Sequence, residues 1–205
     1  MITLHHLRIG RSIWTVFLLE ELGIDYTLKI YERDPKTNRA QADLKAATPL
    51  GKSPVLEDGD IVLSESGAIT SYLIENCDPD GRLGPPETDK AARADWAQWL
   101  HYSEGSLFGP LLMKMVLTRT RSDAPLAHGY ADAEIALHLD HVTAKLGDAA
   151  HILGDAIQGP DFGLGAPLQL AKGLGLLEGR PALLAYLDRM QTSDAFKRAV
   201  EKSGG

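Results

Sequence analysis

One cysteine, Cys77, stands in the whole chain of 205 residues. An internal disulfide is therefore excluded, which suits a reducing compartment. Excess basic charge is also lacking: 21 Lys and Arg face 28 Asp and Glu, for a net charge of −7. Non-specific nucleic-acid binding needs basic surface to displace counterions, so no nucleic-acid partner is expected. An anionic ligand must likewise be met by a local group rather than by the global field. No apolar run reaches membrane-spanning length. Met1-Ile2-Thr3-Leu4 leads straight into a strand pattern, without the basic-then-apolar opening of a signal peptide. Internal repeats and low-complexity segments are absent too. These absences point to a soluble cytoplasmic protein with no membrane partner.

What is present is organised around residues 48–76, TPLGKSPVLEDGDIVLSESGAITSYLIEN. Pro54 precedes the apolar pair Val55-Leu56; having no ladder donor, it belongs at the start of a strand or on an edge. An X-Pro bond is the kind that adopts cis at low cost, and Ser53-Pro54 is expected to be cis. Asp58-Gly59 is a hairpin signal joining Val55-Leu56 to Ile61-Val62-Leu63. Ile69, Tyr72, Leu73 and Asn76 then recur at helical spacing, with Ser66 as the expected N-cap. Each element alone reads as an ordinary hairpin or capped helix. Together they offer a place to hold a small peptide. The backbone of Val55 is expected to pair with an extended ligand, a one-residue form of strand addition. Amides at Ser66-Gly67 favour a carboxylate, and Glu65 beside them suits an ammonium. A carboxylate and an ammonium on one carbon make an amino-acid head group.

Before this stretch, 2–7 reads as a strand, 12–22 as a buried helix apolar on most sides, Gly23 as its C-cap, and 26–31 as a second strand. Residues 41–47 form a short helix ended by Thr48-Pro49. The order is βαβαββα, a thioredoxin-like α/β half with its first two strands parallel. Asp78-Pro79-Asp80-Gly81 and Leu83-Gly84-Pro85-Pro86 mark a boundary. No convincing strand follows. One long helix is expected over 88–118, kinked at Pro110, a second over 125–153, and shorter ones over 166–177, 181–191 and 194–202. The expected division is a first domain at 1–79, a linker at 80–86 and an all-α domain at 87–205.

The segment PLGKSPVLEDGDIVLSESGAITSYL resembles the glutathione-binding segment of cytosolic glutathione S-transferases, in the form common among bacterial members. HLRIGRSIWTVFLLEELGIDY resembles the family's first strand and helix, and WAQWLHYSEGSLFGPLLMKMVL its helical half. The resemblance covers nearly the whole chain and weakens after Gly159. It implies a homodimeric enzyme that activates the thiol of glutathione, its co-substrate, for attack on a small hydrophobic electrophile, with no metal. Lys52 resembles the family's contact to the glycyl carboxylate, with a solvated turn lysine as the plain reading. Ser53, Pro54, Val55, Glu65 and Ser66 fall in the glutathione-binding part. Tyr102 and Phe108, with Ser103 and Leu111, are expected to line the electrophile pocket between domains or simply to fill core.

Two departures stand out. The family's activating Tyr, Ser or Cys lies at the turn into the first helix, where similar bacterial proteins carry a Ser; this chain has Gly10. Ser12 becomes the expected thiolate donor, with Arg11 second; Arg11 also fits a glycyl-carboxylate contact or a surface ion pair. The second departure follows Phe162, where the family's Ser/Thr-x-x-Asp cap is replaced by Gly163-Leu164-Gly165-Ala166, so a cap is expected to be missing. The alternatives are a transferase-fold glutathione-binding protein with weak or no activity, or a glutathione-dependent isomerase. A thioredoxin-like oxidoreductase needs a cysteine at the start of the first helix, and none is there.

Overall fold

The computed structural model describes residues 1–48 and 50–204; Pro49, expected at the end of the short second helix, lies outside the described residues. The chain divides into two compact units, Gly81–Met190 and a unit that joins Met1–Asp80 to the chain from Gln191 onward.

The first unit holds β1 (Thr3–Leu7), α1 (Ile13–Leu22), β2 (Thr27–Tyr31), α2 (Ala42–Ala47), β3 (Val55–Asp58), β4 (Ile61–Leu63) and α3 (Ser66–Cys77). The sheet order is β2-β1-β3-β4. β1 runs parallel to β2 and antiparallel to β3, and β3 and β4 form a hairpin closed by Gly59 at φ 58°. This is the expected βαβαββα order. α1 is buried from Trp14 through Glu20 and ends at Gly23, whose left-handed φ of 69° lets its N–H reach Leu19 O at 3.1 Å.

The first unit also contains α9 (Asp194–Ser203), which the sequence placed in the all-α domain at 87–205. The reason is chemical. Phe196 packs its ring 5.1 Å from Trp14 and 5.3 Å from Phe17. Behind it the buried Glu20 carboxylate accepts bonds from Tyr26 Oη at 2.7 Å, Lys202 Nζ at 2.6 Å and Arg198 Nε at 3.2 Å. α1 is apolar on more sides than the sheet can cover, and both α9 and α3 pack against it.

The second unit holds α4 (Lys90–Tyr102), α5 (Phe108–Arg119), α6 (Pro125–Leu146), α7 (Gly159–Gly173) and α8 (Pro181–Gln191), the last reaching one residue past its edge. The interruption between α4 and α5 is a π-helical turn at Ser103–Leu107, not a kink at Pro110. Pro110 stands in the first turn of α5, where proline is tolerated. A Cβ on Gly163 of α7 would sit 2.8 Å from Ser103 Oγ, so a bare backbone is required where α7 meets the π-helical turn. α6 stops at Gly147, φ 52°, well before 153. Within the expected linker, Leu83 is buried and its carbonyl accepts from Trp96 Nε1 at 3.2 Å and Gly159 N at 2.8 Å.

The missing cap is present after all. α7 begins at Gly159 rather than 166, and Gln158 and Asp161 form a reciprocal capping box at its start. Asp161 is fully buried and accepts from Gln158 N at 2.7 Å, from Ile152 N at 3.0 Å and from the Tyr186 hydroxyl. The motif lies before Phe162 rather than after it, with an amide side chain where a hydroxyl was sought.

Candidate functional site

The geometry of β1 decides which backbone groups face a ligand. Thr27 N donates to Ile2 O at 2.9 Å and Arg8 N to Tyr31 O at 3.0 Å, so the even-numbered residues of β1 turn their peptide groups toward β2. With a strand period of two, His5 and Leu7 turn theirs toward β3. Val55 is the register partner of His5. Its backbone is therefore taken up by the sheet, and its buried side chain fills core. This corrects the expectation that Val55 receives an extended ligand.

Ser53, two residues earlier, sits differently against β1. Its hydroxyl donates to His5 O at 2.7 Å and accepts from Leu7 N at 3.0 Å, extending the β1–β3 ladder by a side chain. That leaves the Ser53 backbone N–H and carbonyl without a protein partner among the described residues. The Ser53-Pro54 bond is cis, as expected, and Pro54 is buried. Lys52 is exposed on the preceding turn.

Ser66 is the first residue of α3 rather than its N-cap. Glu65 holds the N-cap position in extended conformation, φ −101° and ψ 129°, and its side chain makes no capping bond. Glu65 O accepts from Ile69 N at 2.9 Å, while the amides of Ser66, Gly67 and Ala68 make no bond to protein among the described residues. A twelve-residue helix thus presents its positive end beside an exposed carboxylate.

The turn from β1 into α1 places the two expected catalytic residues differently. Arg11 is partly exposed. Ser12 is fully buried; its Oγ shares a 2.9 Å hydrogen bond with His6 Nδ1 and donates to Leu7 O at 3.5 Å. The hydroxyl points into the protein, where it meets the buried His6. Burial pushes the His6 imidazole down to about 4, so it is neutral near pH 7. His5, on the other face of β1, shares a 2.8 Å bond with Tyr31 Oη and lies 3.2 Å from Glu57. Ile9 occupies the left-handed region at φ 54° and is 86% exposed. The amides of Ile9, Gly10 and Ser12 have no protein partner among the described residues.

In the second unit, Tyr102 and Phe108 flank the π-helical turn and are both half-buried. The Tyr102 hydroxyl shares a 2.6 Å hydrogen bond with His138 Nδ1, and His138 Nε2 lies 3.6 Å from Glu134. Burial pushes the Tyr102 phenol up to about 12, so it remains a donor at neutral pH. Nothing in the spacing of Tyr102 and His138, on different helices, announced this pair.

Comparison with known proteins settles the family. Residues 2–75 match the glutathione S-transferase N-terminal domain. Glutathione S-transferase 3 of Schizosaccharomyces pombe is 31% identical over 174 residues, covering 78% of this chain and 70% of the relative. A solved glutathione S-transferase from Actinobacillus pleuropneumoniae is 38% identical with a TM-score of 0.92, covering 100% of this chain and 94% of that one. The chain belongs to the glutathione S-transferase family. A family member from Pseudomonas fluorescens solved with two glutathione bound shares the fold, with a TM-score of 0.81 at 20% identity over 98% of this chain and 92% of that one.

The turn at 8–12 is tightly closed at Gly10. A Cβ on Gly10 would stand 2.9 Å from Leu7 O and 3.3 Å from Arg33 Nη2. The side chain is absent because the turn closes on that space. Arg33 and His138 work through partners on other segments, whereas Asp161 sits in a local capping box whose side chain also reaches Tyr186. Only the Gln158-x-x-Asp161 spacing carried a readable signal.

Proposed function

We propose that this transferase binds glutathione in its first unit and presents the thiolate to a small hydrophobic electrophile. The observation that carries the reading is the unpaired backbone N–H and carbonyl of Ser53 on the same unit as the free amides of α3 and Glu65. Ser53 pairs with the cysteinyl backbone in the manner of an added strand. The γ-glutamyl carboxylate takes the amides of Ser66 and Gly67, and its ammonium takes Glu65. Lys52 meets the glycyl carboxylate. The thiolate is held by the amides of the 9–12 turn with Arg11 nearby, since Ser12 is committed to His6. Tyr102 and Phe108 contribute to the second-substrate site.

Glu65→Ala tests the ligand. The ammonium would lose its charged partner, weakening binding by about 1–3 kcal/mol. Calorimetry with glutathione that returns the wild-type affinity for this variant would remove the assignment. A second reading, a glutathione-binding protein with weak catalysis, is favoured by Gly10 and the burial of Ser12. Turnover of aryl halides, peroxides and epoxides by the wild-type protein separates the two, and isomerase substrates complete the panel.

A homodimer working in the cytoplasm completes the proposal. Leu126, Tyr130 and Leu137 are 90%, 60% and 60% exposed along one stripe of α6, an apolar face suited to a second copy. A monomeric mass by light scattering at micromolar concentration would contradict the dimer.

A further inference from the structure

The Arg33 guanidinium forms a three-pronged clamp on the turn between β1 and α1. Nε donates to Arg8 O at 3.0 Å, Nη2 to Ile9 O at 2.8 Å, and Nη1 to Asn38 O at 2.9 Å. Two of these carbonyls belong to the turn itself; the third ties the clamp to the loop after β2. A guanidinium is suited to this because its N–H groups are fixed in one plane and cannot lose their charge. Ile9, between the gripped carbonyls, is held at φ 54°, a region an isoleucine rarely adopts unless its surroundings impose it. Gripping the carbonyls of Arg8 and Ile9 fixes the two peptide planes whose other ends are the amides of Ile9 and Gly10, the groups left without protein partners. The clamp adds to the crowding at Gly10, where Leu7 O already stands 2.9 Å from a Cβ. Arg33 Nη2 would lie 3.3 Å from a Cβ at that position, so the guanidinium and a side chain at residue 10 compete for one space.

We infer that Arg33 is a positioning residue for the thiolate site, holding the backbone amides of the 9–12 turn in place of the hydroxyl that Gly10 lacks. It acts through peptide planes and a fixed nearby charge, not by touching glutathione. The inference rests on the functional reading above. It differs from a plain structural brace in predicting an effect on the sulfur that exceeds any effect on binding.

The test uses the full-length protein with glutathione and chlorodinitrobenzene. Arg33→Met should raise the pKa of the bound thiol by about one unit, read from thiolate absorbance against pH, and lower kcat about tenfold, equivalent to about 1.4 kcal/mol. The KM for glutathione should stay within about twofold, because the Ser53 and α3 contacts remain. Arg33→Lys keeps the charge but cannot span three carbonyls, so it should show the same direction of change; it is the fallback where the methionine variant folds poorly. An unchanged thiol pKa in either folded variant overturns the inference while leaving the functional reading intact. A wild-type protein that shows no calorimetric binding of glutathione overturns both.

Discussion

Asp161→Ala is expected to be the most damaging single substitution in the second unit. The carboxylate is fully buried and satisfies Ile152 N, Gln158 N and the Tyr186 hydroxyl, with His151 Nδ1 at 3.6 Å. Alanine would strand two backbone amides and a phenol away from water. An unsatisfied buried donor costs about 1–3 kcal/mol, so the three together place the loss at about 3–5 kcal/mol or more. Those donors tie together the 151–158 segment, the start of α7 and the middle of α8, so the damage spreads beyond one helix end. Thermal unfolding should fall by roughly 10 °C or more. Tyr186→Phe removes one donor together with its need for an acceptor and should cost about 1 kcal/mol. An Asp161→Ala protein melting within a degree or two of wild type would show that the box contributes only locally.

That residue also shows where sequence reasoning reached its limit. The βαβαββα order of the first 80 residues was legible because its signals are local. Pro54, Asp58-Gly59 and the apolar run 13–19 each dictate their own segment, and the βαβαββα order follows by addition. What failed depended on contacts made across the chain. Val55 looked free because pairing with His5 is a property of register, which no short window contains. Ser12 looked like a donor because its sequence position is right; in the fold it is turned inward to the buried His6. The Asp161 cap starts α7 at Gly159, before Phe162, with a glutamine amide in place of a hydroxyl. Arg33 stands in a polar loop pattern that says nothing about which carbonyls it reaches.

Phe196→Ala is expected to have the largest effect in the first unit. The ring is 7% exposed and sits against both Trp14 and Phe17. Truncating a buried phenylalanine costs about 3–5 kcal/mol through lost transfer energy and the cavity left behind. Here the loss also loosens the cover of a helix that begins at the turn proposed to hold the thiolate, so glutathione-dependent turnover is expected to fall with stability. The neighbouring Glu20 cluster contributes less at neutral pH but in a pH-dependent way. Burial alone would raise the Glu20 carboxyl, but bonds from Lys202, Tyr26 and Arg198 outweigh it and hold it below the ordinary glutamate range. A carboxylate whose folded pKa is depressed gives stability that is full above its unfolded value, about 4.3, and is lost as pH falls through the folded value. The melting difference between wild type and Glu20→Gln should therefore be constant from neutral pH down to about pH 5 and shrink below about pH 4. His6, held near 4 by burial, makes both proteins lose stability as pH falls below about 6.5, and it cancels in that difference. A gap that persists unchanged at low pH would mean that ionisation of the Glu20 carboxylate is not what stabilises the contact between α1 and α9. Phe196→Ala has no ionisable group at stake, so its deficit should be nearly independent of pH. The two variants thus separate the apolar and ionic parts of the same contact between α1 and α9.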